Sequence, residues 1–492
     1  MEEIRIQTRI KEEIDKLMIL AEGYIEKEVG AHTIEIGLFK QLLSLGLALL
    51  SYILKSKIER LSRFGAPQSG GKPVRGKGVE PRQYLSLFGL LRLDRPSYWD
   101  AELGKVHPVD SQLMLPKSSY WSYNIEELVG ECSSESDFAE SIRLLNKLLY
   151  LGLSGKSSER NAGHLGPVVE GFYSSKEIEK EHGAVCFSAS FDGKGVPKIR
   201  PKAGIGLGGN PKKRLGKGEK RGIMEMATVS VTSSFTPKKR SVDSILRSLM
   251  GSEAEPEKAA PKPEKDQENT WHKNIHRRAF LADQKKAVEY GLDRIKAGMA
   301  NPQSRFVVPI DAGIGLEDKV LEWVKENAME SQFDGILLDI IHVSEYVWDA
   351  ATAVFGEKSR CRPAWVKEVL TDLLNSKVAK VIGDLQQVSS KARLSETKKK
   401  QVAKAITYFT NHQHKMDYKT FIEKGYPVSS ALVEAACGHL VKERMEQSGM
   451  RWSSTGAQNI MDLRAVKING DMEEFMAFRI QTEQKTTLKK VA

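Results

Sequence analysis

Short apolar runs alternate with stretches of helical periodicity over the second half of this chain. AVCFSASF (184–191) is the clearest: Val185, Phe187, Ala189 and Phe191 share one face, and Cys186, Ser188, Ser190 and Asp192 share the other. A second strand is expected from Ile223 to Val231, and two more at RFVVPID (305–311) and DGILLD (334–339). Helical spacing covers 274–297, 315–327, 342–355, 363–412 and 429–448. Strands interleaved with helices imply an α/β fold, a parallel or mixed sheet covered by helices.

The 492 residues suggest about three domains. Lys and Arg number 75 against 64 Asp and Glu, a net charge of +11 that favours a polyanionic partner. Cys132, Cys186, Cys361 and Cys437 are too far apart for a disulfide scaffold or a CxxC zinc site. The start, MEEIRIQTR, lacks the order of a secretory signal. The longest apolar run, Leu42 to Leu54, falls short of the ~20 residues of a membrane span. These readings predict a cytoplasmic protein without a membrane partner.

Residues 1–62 read as helices, and the stretch Thr33–Leu61 is apolar almost all round, as expected of an element buried or paired with another chain. From Lys55 to Arg82 the chain is basic and glycine-rich, and 84–99 suggests a hairpin or two short strands. Nucleic-acid contact and a solvated loop both fit that pattern. Ten cations lie between Lys194 and Arg221, including Lys212, Lys213, Arg214, Lys217, Lys220 and Arg221, which are candidates for phosphate contact. GIGLGGN (204–210) lacks the Lys-Ser/Thr ending of a phosphate-binding loop. The Pro-, Glu- and Lys-rich run 251–268 has no apolar periodicity and reads as a disordered insert.

Three carboxylates stand in otherwise uncharged surroundings. Asp192 and Asp311 each end a strand, where ligands of open α/β sheets gather. Glu434 falls on a helical stripe with Ser430, Cys437, Gly438, Val441, Met445 and Ser448, which would turn it inward and call for a counter-ion. Three convergent oxygens suit Mg²⁺ or Mn²⁺. A turn or cap role for the aspartates and a distant Arg partner for Glu434 are the alternatives. Asp339 and His342, spaced D-x-x-H, could cap a helix and orient the site. Arg451 and Trp452 are candidates for phosphate contact and base stacking, with a core Trp covered by an Arg stem as the alternative.

The run GYPVSSALVEAACGHLVKERMEQSGMRWSSTGAQNIMDLRAVKINGDMEEF (425–475) resembles the C-terminal signature of ISKra-type insertion-sequence transposases, which are allied to the Mutator-like DDE transposases. SFDGKGV (190–196) resembles the first-aspartate motif, DAGIGL (311–316) the second, and LLDIIHVSEYVWDAA (337–351) the Asp-x-x-His motif. The resemblance implies an RNase H-like catalytic core with an all-helical insertion, preceded by a helical and small-β region. Its divisions would be a helical region for dimerisation or DNA binding (1–62), a DNA-binding region (63–182), the core (183–349), the insertion (350–425), the C-terminal part of the core (426–478) and a tail (479–492). Asp192, Asp311 and Glu434 would be catalytic and hold two Mg²⁺, with Mn²⁺ able to substitute. Asp339 and His342 would support the site. Double-stranded DNA, as element ends and as target, would be the partner of a homodimer or higher homo-oligomer in a prokaryotic cytoplasm, associated with the nucleoid. A transposase-derived DNA-binding protein without catalysis, and a Mg²⁺-dependent nuclease that does not join, are the competing functions. Two departures from the family stand out: Val428-Ser429-Ser430-Ala431 replaces a Gly-Ser-Gly run, and RFGAPQSGGK (63–72) lacks the paired cysteines found there in relatives.

Overall fold

Alternation after residue 184 produces the central strand of a five-stranded sheet. In the computed structural model, which describes residues 2–62, 68–69, 72–101, 104–183, 185–199, 224–251, 271–313, 315–391 and 394–491, that strand is β1 (Cys186–Pro197). It is followed by β2 (Met224–Phe235), α1 (Val242–Met250), β3 (His272–Leu281), α2 (Gln284–Gly298), β4 (Arg305–Ile310), α3 (Leu316–Glu326) and β5 (Phe333–Leu338). The order across the sheet is β5-β4-β1-β2-β3. β1, β2 and β3 run antiparallel to one another in turn, whereas β4 pairs parallel with β1 and β5 parallel with β4. The protein is therefore mixed α/β.

Each face of the sheet has its own cover. Phe187, Ala189, Phe191, Phe306, Val308 and Ile310 pack with α2 and α3. Gly291 lets α2 approach: a Cβ there would stand 2.5 Å from the Ser230 hydroxyl and 2.9 Å from the Phe191 ring. Cys186 and Val307, of opposite parity, pack with α1 and a run of helices. These are α4 (Ile340–Phe355), α5 (Cys361–Leu374), α6 (Val378–Lys391), α7 (Glu396–His412) and α8 (Tyr418–Lys424). After them come α9 (Ala431–Ala436), a π-helical turn (Cys437–Lys442) and the short helix Glu443–Met445.

Residues 272–281 are a strand, not the start of a helix. Of its buried positions, His276, Arg278, Ala279 and Phe280, the first two are polar residues that hide the period-two signal. They are housed by Tyr290 of α2: the His276 ring bonds its hydroxyl at 2.7 Å, and the Arg278 guanidinium lies 4.9 Å from its ring centre. The stretch 363–412 is three helices, broken first at Ser376, which takes a left-handed backbone (φ 58°). Residues 252–268 and the cluster Lys212–Arg221 lie outside the described residues.

The chain divides into two units, Lys176–Met461, which carries this sheet, and Met1–Ser175 with Asp462–Ala492. In the second unit the helices Glu2–Glu26 and Ala31–Ser62 pack on each other, and the expected hairpin forms from Arg75–Ser86 and Gly89–Asp100. Arg82 and Arg95 both turn to one half-buried carboxylate, Asp110, at 2.7 and 2.6 Å, so these two cations brace the hairpin. The helix Ala31–Ser62 is partly buried within its unit: Ala48 and Ile58 are buried and Leu47, Leu50, Leu54 and Leu61 pack beside Leu91 and Leu93 of the hairpin, while Ile36, Leu42, Leu49 and Ile53 are exposed. By length and composition it is also sufficient to cross a membrane, because Ser, Gly and Gln interrupt the apolar run without ending the helix. Residues 479–492 are no tail up to Val491. They belong to the helix Met472–Val491, whose Glu483 accepts hydrogen bonds from Tyr123 and Ser118.

Glu126 in this unit is fully buried, and neither carboxyl oxygen has a hydrogen-bond partner among the described residues. Arg479 stands 3.7 Å away but is shared with Glu483. Burial pushes the Glu126 carboxyl up to about 7, with Arg479 opposing and Glu483 adding to the shift. A folded pKa above the unfolded value makes the contribution to stability complete below the unfolded pKa and lost as pH rises through the folded one. Glu126→Gln should therefore flatten the decline in melting temperature between about pH 5 and pH 8. A wild-type slope in the variant would refute this role.

Candidate functional site

Asp192 does not end β1; the strand runs on to Pro197. Its parallel ladder with β4 is Cys186↔Arg305, Phe187↔Phe306 and Ser188↔Val307 and goes no further, so beyond it β1 continues as a ribbon with β2 alone. Continued four residues past its last pair, the offset of that ladder would bring Asp192 level with Asp311, the residue after β4. Asp192 shares parity with Cys186, and Asp311 with Val307, so alternation turns both toward the face that the long helical run covers. The Asp192 Oδ1 accepts the Gly193 N–H at 2.6 Å, and the Asp311 Oδ1 accepts the Ala312 N–H at 2.5 Å.

The segment carrying Glu434 lies on that same face. The buried Cys437 thiol donates to the Asp192 Oδ2 at 3.3 Å. Burial, and then the negative charge of Asp192, push this thiol far above its ordinary pKa; Lys194 opposes, and Glu434 adds to the rise. Asp192 and Glu434 thus both act on Cys437, one from the strand and one from the preceding helical turn. Glu434 itself is exposed, contrary to the stripe argument. Ser430, Cys437, Val441 and Met445 of that stripe are buried, but the first turn buries Val433 and Ala436, and the π-helical turn at Cys437–Lys442 shifts the phase. A buried charge demanding a counter-ion is not what holds Glu434.

Asp339 ties the pieces together. Its Oδ1 caps α4 by accepting the Ile341 N–H at 2.7 Å, and its Oδ2 accepts the hydroxyl of Ser430, the residue before α9. Its own N–H donates to Ile310 O at 2.9 Å, and the next N–H, of Ile340, donates to Val428 O at 3.1 Å. The end of β4, the start of α4 and the start of the Glu434 helix are therefore stitched at one fully buried residue. Burial holds the Asp339 carboxyl above its ordinary pKa, against the opposing pull of its hydrogen bonds and of His342. His342, half-buried, pairs with Glu345 at 3.5 Å rather than with Asp339. Burial lowers its pKa, but Asp311, Asp339 and Glu345 together outweigh this and raise it.

Trp452 is not a stacking platform. It is buried, donates its indole N–H to Met445 O at 3.1 Å, and carries the Arg444 guanidinium 4.8 Å above its ring. Backbone bonds from Trp452 N–H to Pro197 O and from Ile199 N–H to Trp452 O lock it against the end of β1. Of the two alternatives the core one holds, with Arg444 as the covering cation and Arg451 exposed. Cys437 and Ser430 are the site residues whose roles the sequence left unread. Both sat on the apolar stripe, and only their partners Asp192 and Asp339 reveal what they do.

As a donor set, Asp192, Asp311 and Glu434 offer hard oxygens, which fit Mg²⁺ or Mn²⁺ and not zinc. Among the described residues, no three His, Cys, Asp or Glu side chains are already gathered at metal-binding distance. No protein-family model and no curated protein matches this chain, so what the site does is argued from its own geometry.

Proposed function

We propose that the protein is a DDE transposase related to the ISKra-type group, with an RNase H-like core that cuts the ends of a mobile element and joins the freed 3′ ends to target DNA. The reading is carried by the parity that turns Asp192 and Asp311 to one sheet face, with Cys437, the residue after the Glu434 helix, bonded to Asp192. The sheet order β5-β4-β1-β2-β3, with β4 and β5 parallel to β1, is the one such a core would have. The helical run between β5 and α9 fits the expected insertion.

Asp192, Asp311 and Glu434 would hold Mg²⁺. When bound there, the ions supply Lewis acidity for activating water or a 3′-hydroxyl and for neutralising the leaving oxygen. Asp339 and Ser430 keep the two carboxylate-bearing segments in register, and His342 sets the field beside Asp311. The +11 net charge suits a DNA partner. Two element ends must be held together, so the protein would act as a dimer or higher homo-oligomer, in a prokaryotic cytoplasm.

Labelled duplex carrying an element end tests the reading. With Mg²⁺ or Mn²⁺, nicked products bearing 3′-hydroxyls and then strand-transfer products are expected, and with chelator neither. Binding without cutting would favour a DNA-binding protein that has lost catalysis, which the Ser429-Ser430 replacement keeps as the second reading. Cutting without transfer would favour a nuclease.

A further inference from the structure

A groove of about 680 Å³ opens between α4 and α7. It is lined by Tyr346 of α4 and, along one face of α7, by Lys400, Lys404, Tyr408 and His412. The spacing 400, 404, 408, 412 keeps these four in a row, spanning about 18 Å of helix. The Tyr346 and Tyr408 rings are parallel, their centres 3.9 Å apart and their planes at 15°. Lys400 and Lys404 are exposed and make no ion pair among the described residues. The Tyr408 hydroxyl and His412 Nδ1 are buried beneath this wall without a hydrogen-bond partner among the described residues.

This groove lies within the electrostatic reach of Asp311. After burial, the charge of Asp311 is the largest influence holding both phenols above their ordinary pKa. Lys400 and Lys404 thus put positive charge on a groove that also feels the negative charge of Asp311.

We propose that the groove takes the single strand of DNA next to the reacting phosphate, with a base packed on the Tyr346–Tyr408 pair and backbone phosphates at Lys400 and Lys404. Stacking on an aromatic face requires an uncovered base, which duplex DNA does not present along its length, and it is tolerant of sequence. The inference rests on the phosphoryl-transfer reading and names where that site holds its substrate.

The test uses the full chain without divalent ions and an oligodeoxythymidylate of about 12 nucleotides containing one 2-aminopurine, a length within the usual single-strand site size. Binding should quench the 2-aminopurine. Lys400→Ala with Lys404→Ala, at exposed positions that leave the fold intact, should lower the slope of log affinity against log salt by about 1.4. Tyr346→Ala should remove the quench and weaken binding by roughly 5- to 150-fold. An unchanged salt slope in the lysine variant, or equal affinity for a duplex of the same length, overturns the groove assignment. Cleavage of element ends by wild-type protein, measured in parallel, separates the two ideas. Groove-dependent strand binding without cleavage overturns only the transposase reading, and cleavage with groove-independent binding overturns only the groove.

Discussion

Asp192→Asn, Asp311→Asn and Glu434→Gln, made singly, should each lower cleavage of element-end DNA by about 10³-fold or more while leaving DNA affinity within a few-fold of wild type. Each amide is isosteric with the acid it replaces, so shape is kept and only the negative charge is lost. The carbonyl oxygen of an amide at position 192 can still accept from the Cys437 thiol or the Gly193 N–H, and one at position 311 from the Ala312 N–H, so local bonding survives. Glu434 is exposed, and a surface change of this kind ordinarily shifts stability by no more than about 0.5 kcal/mol. Loss of activity at 434 could therefore not be blamed on unfolding. Affinity should persist because phosphate binding draws on the cationic surface, not on these acids. A gel assay for nicked product and a mobility-shift assay on the same preparations give both numbers. Wild-type cutting by Glu434→Gln would remove that residue from the site and leave a pair of aspartates in need of another partner.

The second large effect concerns Asp339. Asp339→Ala removes a helix cap and strands the Ser430 hydroxyl, and it should destabilise the protein by about 2–4 kcal/mol. Ser430→Ala removes one of the same bonds and should cost less. Because both changes break a shared hydrogen bond, the double variant should be less damaged than the sum, with a coupling of about 0.5–3 kcal/mol. Urea titrations of the four proteins measure the cycle. Strict additivity would show that the two side chains do not depend on each other, and the stitch between β4, α4 and α9 would fail. Asp339→Ala should also slow cleavage, since the Glu434 helix starts at its partner Ser430.

How much of this was visible in the residues alone can be traced element by element. AVCFSASF announced β1 because a half-buried strand needs period-two alternation, and that need is met by neighbours in sequence. The hairpin at 84–99 was equally open to reading, although its strands begin earlier, at Arg75. The strand His272–Leu281 was hidden, because an edge strand that buries His276 and Arg278 against Tyr290 carries no apolar alternation to detect. Trp452 looked equally suited to a base or to the core, since its composition is the same in both settings.

Local chemistry, then, determined most of the segments that become strands and helices and the face of β1 that Asp192 takes, because dihedral preference, alternation and capping act within a few residues. Which way Glu434 points was decided only in three dimensions, where its short helix packs Val433 and Ala436 inward before the π-helical turn begins at Cys437. So was the partnership of Cys437 with Asp192 and of Ser430 with Asp339. These contacts join residues far apart along the chain, and only the packing of helices on the sheet brings them within bonding distance.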